Sequence, residues 1–375
     1  TSFPLIAIPL FILAAAIMNT SGISHRLIDF CQALVGWVRG ALAQVNVLSH
    51  MFFAEISGSA VAGVAATASI IMPAMKARGY PGPFTAAVTS STATLAIIIP
   101  PSIPMILYAV MAGTSVVQMF VAGIVPGLLA AFGFMGLCYW YALKYNWPVE
   151  EVFQWRKLGR AFKHAFWALT LPIIILGGIF GGIVTATEGA ALAVVAALGV
   201  GGLVYRELDW TRLREAIIDG AVQTGTVMLL VAASALLGLY LTEVQLPQRI
   251  AAAMLSVTSE KWAILAILNV FFLIIGMFLH SAAAIILVVP IVMPVVTAAG
   301  IDPVHFGVIV TLNLAIGQQT PPVASVLLLT CSIAKESVWD VTKANIPFIG
   351  VLLATLLLVT YVPVVTLGLV SLFYR

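Results

Sequence analysis

Long apolar runs recur along the whole sequence, and each is long enough to form a helix that crosses a lipid bilayer. The hydrocarbon core needs about 20 apolar residues. Six runs have that length: roughly 3–19, 120–143, 165–182, 187–205, 220–242 and 346–370. Only 8% of the 375 residues are charged, whereas a soluble chain carries about 25%. So few charges cannot cover a water-facing surface, and the sequence predicts an all-α polytopic membrane protein.

Four other apolar stretches, 41–76, 84–112, 262–297 and 304–334, are interrupted by glycine, proline or small polar residues. An interrupted helix leaves backbone groups without partners, which is costly at membrane depth unless the break is buried in protein or lines a cavity. We therefore interpret the breaks as elements of a functional site. The first and third stretches are predicted to be re-entrant helical hairpins, and the second and fourth to be broken transmembrane helices.

The distribution of Lys and Arg predicts the orientation of these elements, because cytoplasmic loops retain positive charge. The densest basic cluster lies in segment 144–164, which we place in the cytoplasm. If each hairpin enters and leaves by one face, all of the 17 Lys and Arg residues except Arg249, Lys261 and Arg375 are cytoplasmic. Treating either hairpin as a full span breaks this partition. The charges therefore predict two hairpins that open to opposite faces.

The sequence also contains an internal repeat. Landmarks recur in pairs that all have the same separation in the numbering: Met72-Pro73 with Met293-Pro294, Gly79 with Gly300, Pro100-Pro101 with Pro321-Pro322, and Pro126 with Pro347. With the charge pattern, this constant offset predicts two copies of opposite topology. Inverted repeats are a signature of secondary transporters, whose sites lie near the midplane where corresponding broken elements meet.

We divide the chain into six segments on this basis. They are a scaffold helix and interfacial arm (1–40), the first transport-core repeat (41–119), linking helices with a cytoplasmic amphipathic segment at 144–164 (120–219), a second scaffold helix and arm (220–261), the second transport-core repeat (262–345) and a terminal helix (346–375). The matched arms suggest a fixed scaffold around a moving core. Thr1 lies inside an apolar run, so we expect a further segment ahead of it.

The broken elements supply groups that bind ions. Carbonyl oxygens released at a break suit a hard cation such as Na⁺, whereas half-helix N-termini attract an anion. Gly58 and Gly317 are expected to adopt unusual backbone angles that aim these groups. The polar candidates of the first copy are the tip Ser57-Gly58-Ser59 and the stretch from Thr89, Ser90, Ser91, Thr92 and Thr94 to Pro100-Pro101-Ser102. Those of the second copy are His280, Ser281, Asn313 and the run Gly317-Gln318-Gln319-Thr320-Pro321-Pro322.

Among these candidates, we assign the hydroxyl, amide and imidazole groups to substrate binding. The predicted substrate-binding residues are Ser91, Thr92, Thr94, Ser102, His280, Asn313, Gln318 and Gln319. His280 has a second interpretation, as a polar group satisfied at a hairpin turn. Glu55, two residues before the first tip, is a candidate for gating or charge balance. Glu188 is either a surface residue or an N-terminal cap.

Several motifs together resemble one transporter family. These are IPLFILAAAIMNTSGIS (8–24), EISGSAVAG (55–63), IMPAMKARGY (71–80), IIPPSIPMILY (98–108), GIVTATEGAA (182–191), GIDPVHFGVIV (300–310) and GQQTPPVASV (317–326). In this order they resemble the large membrane subunit, DctM-like, of the tripartite ATP-independent periplasmic (TRAP) transporters. The resemblance covers essentially the whole chain.

The resemblance implies a multi-pass protein of the bacterial or archaeal inner membrane that takes up organic acids in symport with sodium. It implies an elevator motion of the core and no ATP hydrolysis. The implied partners are a small, four-helix, DctQ-like membrane subunit and a DctP-like periplasmic substrate-binding protein. Carried over by motif, the first Na⁺ site involves Ser57, Gly58 and Ser59 with the backbone at Ile99 and Pro100. The second involves Ser281, Gly317, Thr320 and Pro321.

The sequence departs from the family pattern at several positions. Gly63 stands where an Asp is expected, His280 stands where an acidic residue is common, and Ala186 and Gly189 alter the FTPTEAA pattern. Roles of those carboxylates therefore do not transfer to this chain. A changed second tip favours a sugar acid or keto acid over a simple C4-dicarboxylate.

Three other functions are compatible with parts of the sequence. The first is a proton-coupled or binding-protein-independent anion symporter, with Glu55 and His280 handling protons. The second is an intramembrane enzyme, although the chain has no HExxH or GxSxG motif. The third is a structural subunit with no pathway, against which the matched polar breaks argue. The three cysteines, Cys31, Cys138 and Cys331, lack metal-site spacing and are interpreted as buried hydrophobes.

Overall fold

The computed structural model describes residues 3–147, 149 and 152–374, and all regular structure in this part of the chain is helical. A 3-10 turn at Phe3–Ile6 comes first, and a π-helical turn at Gly199–Val204 extends α10. The α-helices are α1 (Ala7–Thr20), α2 (Ile23–Val35), α3 (Ala41–Ser57), α4 (Ala60–Ala77), α5 (Gly82–Ala93), α6 (Leu95–Ile98), α7 (Ile103–Ala112), α8 (Val116–Lys144), α9 (Trp155–Phe180), α10 (Ala186–Leu198), α11 (Trp210–Glu243), α12 (Leu246–Val257), α13 (Lys261–Phe278), α14 (Ser281–Ala298), α15 (Pro303–Gly317), α16 (Ser325–Ala334), α17 (Val338–Tyr361) and α18 (Val364–Phe373).

Nine helical segments among the described residues are long and apolar enough to cross a membrane. This confirms the predicted all-α polytopic membrane fold. Burial separates inner from outer elements: the apolar window of Gly82–Ala112, the first broken helix, is 83% buried, whereas that of α11 is 6% buried. The broken helix therefore lies at the centre of the protein, and α11 lies at its edge.

The two halves of the fold repeat each other at the offset that the sequence landmarks predict. Applied to the bounds of α4, that offset gives both ends of α14, and applied to the first residue of α5 it gives the first residue of α15. Gly79 and Gly300, in the turns that precede α5 and α15, have φ angles of 82° and 63°. Glycine adopts such angles at little cost, because it has no Cβ. The sequence repeat is therefore a repeat of backbone structure.

Each copy begins with a helical hairpin. α3 ends at Ser57, the φ of 57° at the following Gly58 lets the chain reverse, and Ser59 caps α4 by accepting a hydrogen bond from Ala62 N. In the second copy the chain turns at Leu279 and His280, and the His280 side chain caps α14 by accepting from Ala282 N. His280 occupies the position that Ser59 holds in the first copy.

The broken helices of the two copies run in opposite directions. Lys76, at the end of α4, donates to Ala334 O at the end of α16 and pairs with Glu336, both at 2.6 Å. The first broken helix, α5 to α7, thus starts where the second, α15 and α16, finishes. At the other face, Tyr108 Oη near the end of α7 donates to Pro303 O at the start of α15, at 2.8 Å. The copies are therefore inverted.

The outer helices form a separate layer around these elements. α1 packs against α10 and α11, and α2 packs against α9. α2 turns by 72° from the preceding helix, and both predicted arms, 20–40 and 243–261, contain one short helix, α2 or α12. α8 and α17 pack against the broken helices instead. The elements thus separate into a core of hairpins and broken helices and a surrounding scaffold.

The predicted amphipathic segment 144–164 is not a separate helix. α8 ends at Lys144, and α9 begins at Trp155 and continues without interruption to Phe180. The basic residues Arg156, Lys157, Arg160 and Lys163 therefore form the first turns of a spanning helix. Pro148, Glu150 and Glu151 lie outside the described residues, as does Arg375, one of the three predicted external basic residues.

Two smaller predictions are settled by local structure. Glu188 completes a capping box with Thr185 at the start of α10: its carboxylate accepts from Thr185 N at 2.7 Å, and Thr185 Oγ1 accepts from Glu188 N. Glu188 is therefore an N-terminal cap. Cys31, Cys138 and Cys331 are buried and unpaired.

Candidate transport site

The first hairpin tip is fitted to the break of the first broken helix. Ile103 N, at the start of α7, donates to Gly58 O at 3.3 Å. A Cβ on Gly58 would lie 2.6 Å from Pro101 O, closer than non-bonded atoms approach. Two features therefore require glycine at position 58: its positive φ and its close contact with Pro101. The prediction of an unusual backbone angle at Gly58 is confirmed.

The second tip is fitted to its own break in a different way. Val323 N donates to Met277 O at 3.2 Å. A Cβ on Gly317 would lie 2.3 Å from the backbone carbon of Gly276. Gly317 has no positive φ, so the predicted unusual angle at this residue is wrong. The glycine is needed because two backbones touch there.

A cavity of about 400 Å³ lies between the two tips and α11. The core contributes Gly58, Ser59, Ala60, Val61, Ile97, Ile103, Pro104, His280, Ser281, Ala282 and Gln318. The scaffold contributes Ile12, Val222, Gln223, Thr226, Val227 and Leu230. None of these described lining residues is Asp, Glu, Lys or Arg. Any charge held in this cavity must therefore be balanced by dipoles or by a second bound ion.

Three helix N-termini meet at the cavity, those of α4, α7 and α14. Their cap residues Ser59, Ser102 and His280 each accept one first-turn N–H group. At α4 and α14 the other first-turn N–H groups have no partner within their own helix, whereas at α7 Ile103 N already donates to Gly58 O and Pro104 has no N–H. Each N-terminus carries roughly half a positive charge, so together they favour an anionic group in the cavity.

Unused carbonyl oxygens lie beside the first tip. Among the described residues, none donates a hydrogen bond to the carbonyls of Ile99, Pro100 or Pro101. Ser57 and Gly58 adjoin this break through the contact of Gly58 with Pro101. The structure thus brings the predicted sodium residues Ser57, Gly58, Ser59, Ile99 and Pro100 together in one place. Such an oxygen-rich break suits a hard monovalent cation.

The structure brings the residues of the second predicted sodium site together less completely. Gly317 lies against the second hairpin, and the carbonyls of Thr320 and Pro321 likewise accept no hydrogen bond from the described residues. The Thr320 hydroxyl donates to Ile316 O at 2.9 Å within its own helix end. Ser281 lies on the cavity wall.

Two of the predicted substrate residues, His280 and Gln318, line the cavity. The other six are fully buried and bond within the core. Ser91 donates to Asn345, Thr92 contacts Asn46 and His50, Thr94 donates to Ser91 O, Ser102 donates to Ile97 O, Asn313 donates to Asn269, and Gln319 bonds to Ser90. In this structure these six residues bond to other core groups, Thr94 within its own helix, and none of them lines the cavity.

One of these networks links the two copies. Ser90 Oγ donates to Gln319 Oε1 at 2.5 Å, and Gln319 Nε2 donates back to Ser90 O at 2.8 Å. Asn345 Nδ2 donates to the same Gln319 oxygen at 3.2 Å, while Ser91 Oγ donates to Asn345 Oδ1 at 2.5 Å. All four residues are buried. The network ties α5 of the first copy to the second break and to α17.

Glu55 lies on α3 two residues before the first tip, and it is partly buried. It is absent from the cavity wall. In the part of the chain that the structure describes, the ion pairs are Arg26–Glu207 and Lys76–Glu336, and neither involves Glu55. Its proposed role in gating or charge balance stays a prediction.

Sequence reasoning missed the scaffold wall of the cavity. Gln223 and Thr226 of α11 face the hairpin tips. Asp219, Gln223 and Thr226 are spaced four and three residues apart, which places them on one face of a helix. A polar row inside the otherwise apolar run 220–242 was the signal that could have identified them.

The fold and cavity define a class of protein: a polytopic permease built like a secondary transporter, with inverted repeats and a cavity between the two hairpin tips. Residues 1–365 match the family described as tripartite ATP-independent periplasmic transporter, DctM component. The chain therefore belongs to the DctM component of the TRAP transporters and is a large permease subunit. Its relatives are named as transporter permeases, not as enzymes.

Two relatives and one solved structure illustrate the match. The isethionate TRAP transporter permease protein DctMQ of Oleidesulfovibrio alaskensis is 42% identical over 97% of this chain, which spans 58% of that relative. The C4-dicarboxylate TRAP transporter large permease protein DctM of Vibrio cholerae is 38% identical over 96% of this chain and 84% of the relative. The crystal structure of the YdaH transporter of Alcanivorax borkumensis has a TM-score of 0.65 at 15% identity, over 94% of this chain and 85% of that one.

Proposed function

We propose that this permease imports a small organic acid across the inner membrane of a prokaryote in symport with Na⁺. The observation that carries the proposal is the meeting of three helix N-termini at a cavity whose described lining has no charged side chain. Such a site holds one anionic group through N–H donors and hydroxyls. The relatives are named for isethionate and C4-dicarboxylates, a sulfonate and carboxylates, so the proposed cargo is a sulfonate, dicarboxylate, keto acid or sugar acid.

Sodium is the proposed coupling ion because the unused carbonyls at both breaks are oxygen ligands of the kind that a hard cation prefers. A bound cation beside the tip would also offset the charge of the substrate in a lining that lacks a full charge. Ser57, Gly58, Ser59, Ile99 and Pro100 would form the first site, and Ser281, Gly317, Thr320 and Pro321 the second.

The proposed motion is an elevator, in which the core of hairpins and broken helices slides against the scaffold. The separation of the two layers supports this, since the cavity lies on their boundary. The proposed partners are a small four-helix membrane subunit and a periplasmic substrate-binding protein. One relative is named DctMQ, and the family name is tripartite and periplasmic.

A second candidate is proton coupling, which the lack of an ion-pair partner for Glu55 among the described residues favours.

One experiment distinguishes sodium coupling from proton coupling. The complete transporter is reconstituted in proteoliposomes with its binding protein, and uptake of radiolabelled organic acid is measured with a Na⁺ gradient at fixed pH. We expect uptake to stop when Na⁺ is replaced by choline. Uptake that persists without Na⁺ and follows an imposed pH gradient would reject sodium coupling. Uptake without the binding protein would reject the proposed dependence on that partner.

A further inference from the structure

A second void continues from the central cavity. This cleft has a volume of about 600 Å³ and runs between α4 and the scaffold helices α1, α2 and α11. It shares Val61 and Gln223 with the central cavity. At its far end it is lined by His25, Glu207 and Arg212. The two voids are therefore neighbours along one path.

The far end of the cleft lies on the face that the Lys and Arg distribution assigns to the cytoplasm. Arg26 and Glu207 form an ion pair at 2.5 Å there. A third void of about 690 Å³ begins at this point, shares His25 and Glu207 with the cleft, and is lined by Lys157 and Arg160 of α9. A row of voids thus leads from the hairpin tips to the cytoplasmic face.

The cleft is open because the two hairpins pack differently on the scaffold. α14 of the second hairpin packs against α11 and α12, whereas α4, at the equivalent place, packs against α3, α5, α6 and α16. Val61, Ala65 and Ser69 on the outer face of α4 are consequently exposed to the cleft. Helix α4 of the first hairpin stands away from α11 and α12, whereas α14 of the second hairpin is closed on them.

On the scaffold side, one row of polar residues on α11 lines both the central cavity and the cleft. Thr226 and Gln223 face the central cavity, and Gln223, Asp219 and Arg212 face the cleft. The spacings of three, four and seven residues keep all four on one helix face. Arg26 and Glu207 neutralise each other. Arg212 and Asp219 line the cleft, and neither forms an ion pair with another described residue. Their charges are opposite in sign.

We propose that this cleft is the route by which the organic anion leaves the central cavity toward the cytoplasm, and that Arg212 and Asp219 set its charge selectivity. The proposal rests on the proposed function. Arg212 attracts the departing anion to the mouth of the route. Asp219, deeper in the cleft, lowers the local concentration of anions and raises that of cations, which assists release of the coupling ion.

The test uses thiol labelling, which needs neither substrate nor sodium. Ser69→Cys, and Ala65→Cys as a second position on the same face, are introduced into the complete permease, whose own three cysteines are buried. Inside-out and right-side-out vesicles are treated with the impermeant reagents MTSES, an anion, and MTSET, a cation. Ser256→Cys, exposed on α12 near the external Lys261, is the opposite-side control, and the parent protein measures background.

We expect Ser69→Cys to react in inside-out vesicles and Ser256→Cys in right-side-out vesicles. In the Ser69→Cys background, Arg212→Gln should lower the MTSES to MTSET rate ratio about two-fold or more, and Asp219→Asn should raise it similarly, since a charge that lines the same cleft acts with opposite sign on the two reagents. Failure of both cysteines to react from the cytoplasmic side would overturn the route. If neither charge substitution changes the MTSES to MTSET rate ratio, the proposed charge selectivity is overturned. If labelling behaves as expected but uptake ignores Na⁺, the route stands and the proposed coupling falls.

Discussion

Gly317 and Gly276 touch backbone to backbone where the second broken helix passes its hairpin, and this contact sets a strict limit on side-chain size. A methyl group at Gly317 would lie 2.3 Å from the Gly276 backbone. We expect Gly317→Ala to reduce uptake at least ten-fold, because the break must shift away from the tip. The measurement is initial uptake in proteoliposomes at matched protein density.

The control for this substitution is Gly350→Ala on α17, where an added Cβ meets no atom within 4 Å. It should leave uptake unchanged and slightly favour the helix. Normal transport by Gly317→Ala would mean that the contact between break and hairpin is not needed for the site.

Glu207 supplies a prediction about pH at the face that the Lys and Arg distribution assigns to the cytoplasm. Its hydrogen bond to Arg26 lowers the pKa of the carboxyl below its usual value. The ion pair therefore stabilises the fold above the ordinary Glu pKa of about 4.3, and this contribution disappears as the pH falls through the lowered pKa. Because both side chains are partly exposed, the pair contributes about 0.2–1 kcal/mol.

The corresponding experiment compares apparent Tm values of the parent and Glu207→Gln in detergent from pH 8 downward. The parent should unfold at a higher temperature at neutral pH, and the two curves should converge under acid conditions. A gap that stays constant through the acid range would show that the carboxylate charge does not matter to stability.

At the scale of elements, the hairpins, the breaks and their order were predictable, because Gly, Pro and small polar residues interrupt long apolar runs. The constant offset between the copies even located matching helix ends. The continuity of α9 was not predictable in this way: basic and aromatic residues at 155–163 are equally compatible with a surface helix and with the first turns of a span. Only tertiary packing decides between them.

The candidate site was predictable in part, for a related reason. Ser59, His280 and Ser281 face the cavity because they lie at the hairpin tips, which border it. Hydroxyls such as Ser91 and Thr92 lie inside helices, and sequence does not reveal whether they face the cavity or a neighbouring helix. The scaffold residues Gln223 and Thr226 come from a distant segment, so only the three-dimensional arrangement places them there.

The network that joins the two copies can be tested through Asn345. Asn345→Ala leaves the Ser91 hydroxyl and part of the Gln319 amide without a buried partner, which costs about 1–3 kcal/mol. We expect a drop in apparent Tm of several degrees. Thr342→Ala, at a partly exposed position on the same helix where the hydroxyl bonds only to Val338 O of its own turn, is the matched control and should change stability by no more than about 0.5 kcal/mol. Equal Tm values for the two variants would contradict a joining role.

At the scale of the whole molecule, the repeat predicts the alternative state. Pro290, the equivalent of Ser69 in the second copy, lines a small void with Leu241 and Pro247 at the α11–α12 corner. The equivalent of Leu241 is Thr20. Exchanging the conformations of the copies would therefore bring Ser69 of α4 against Thr20 of α1.

We expect the pair Thr20→Cys and Ser69→Cys to form a disulfide under oxidising conditions, because the exchanged state would place the two positions around one small void and a disulfide needs a Cα separation of about 4.4–6.8 Å. The bond should block uptake, and reduction should restore it. The single variants are the controls. A cross-linked protein that transports at the parent rate would exclude this motion.

The lining of the central cavity has a consequence for energetics. Because no Asp, Glu, Lys or Arg belongs to the described lining, the lining would add no full charge to that of the cargo in the proposed elevator motion. Each sodium ion beyond those that neutralise the anion would make the loaded step electrogenic, adding about 2.3 kcal/mol of drive per 100 mV. Returning empty, the same cavity would move no charge, so membrane voltage would pull the cargo inward without hindering the reset.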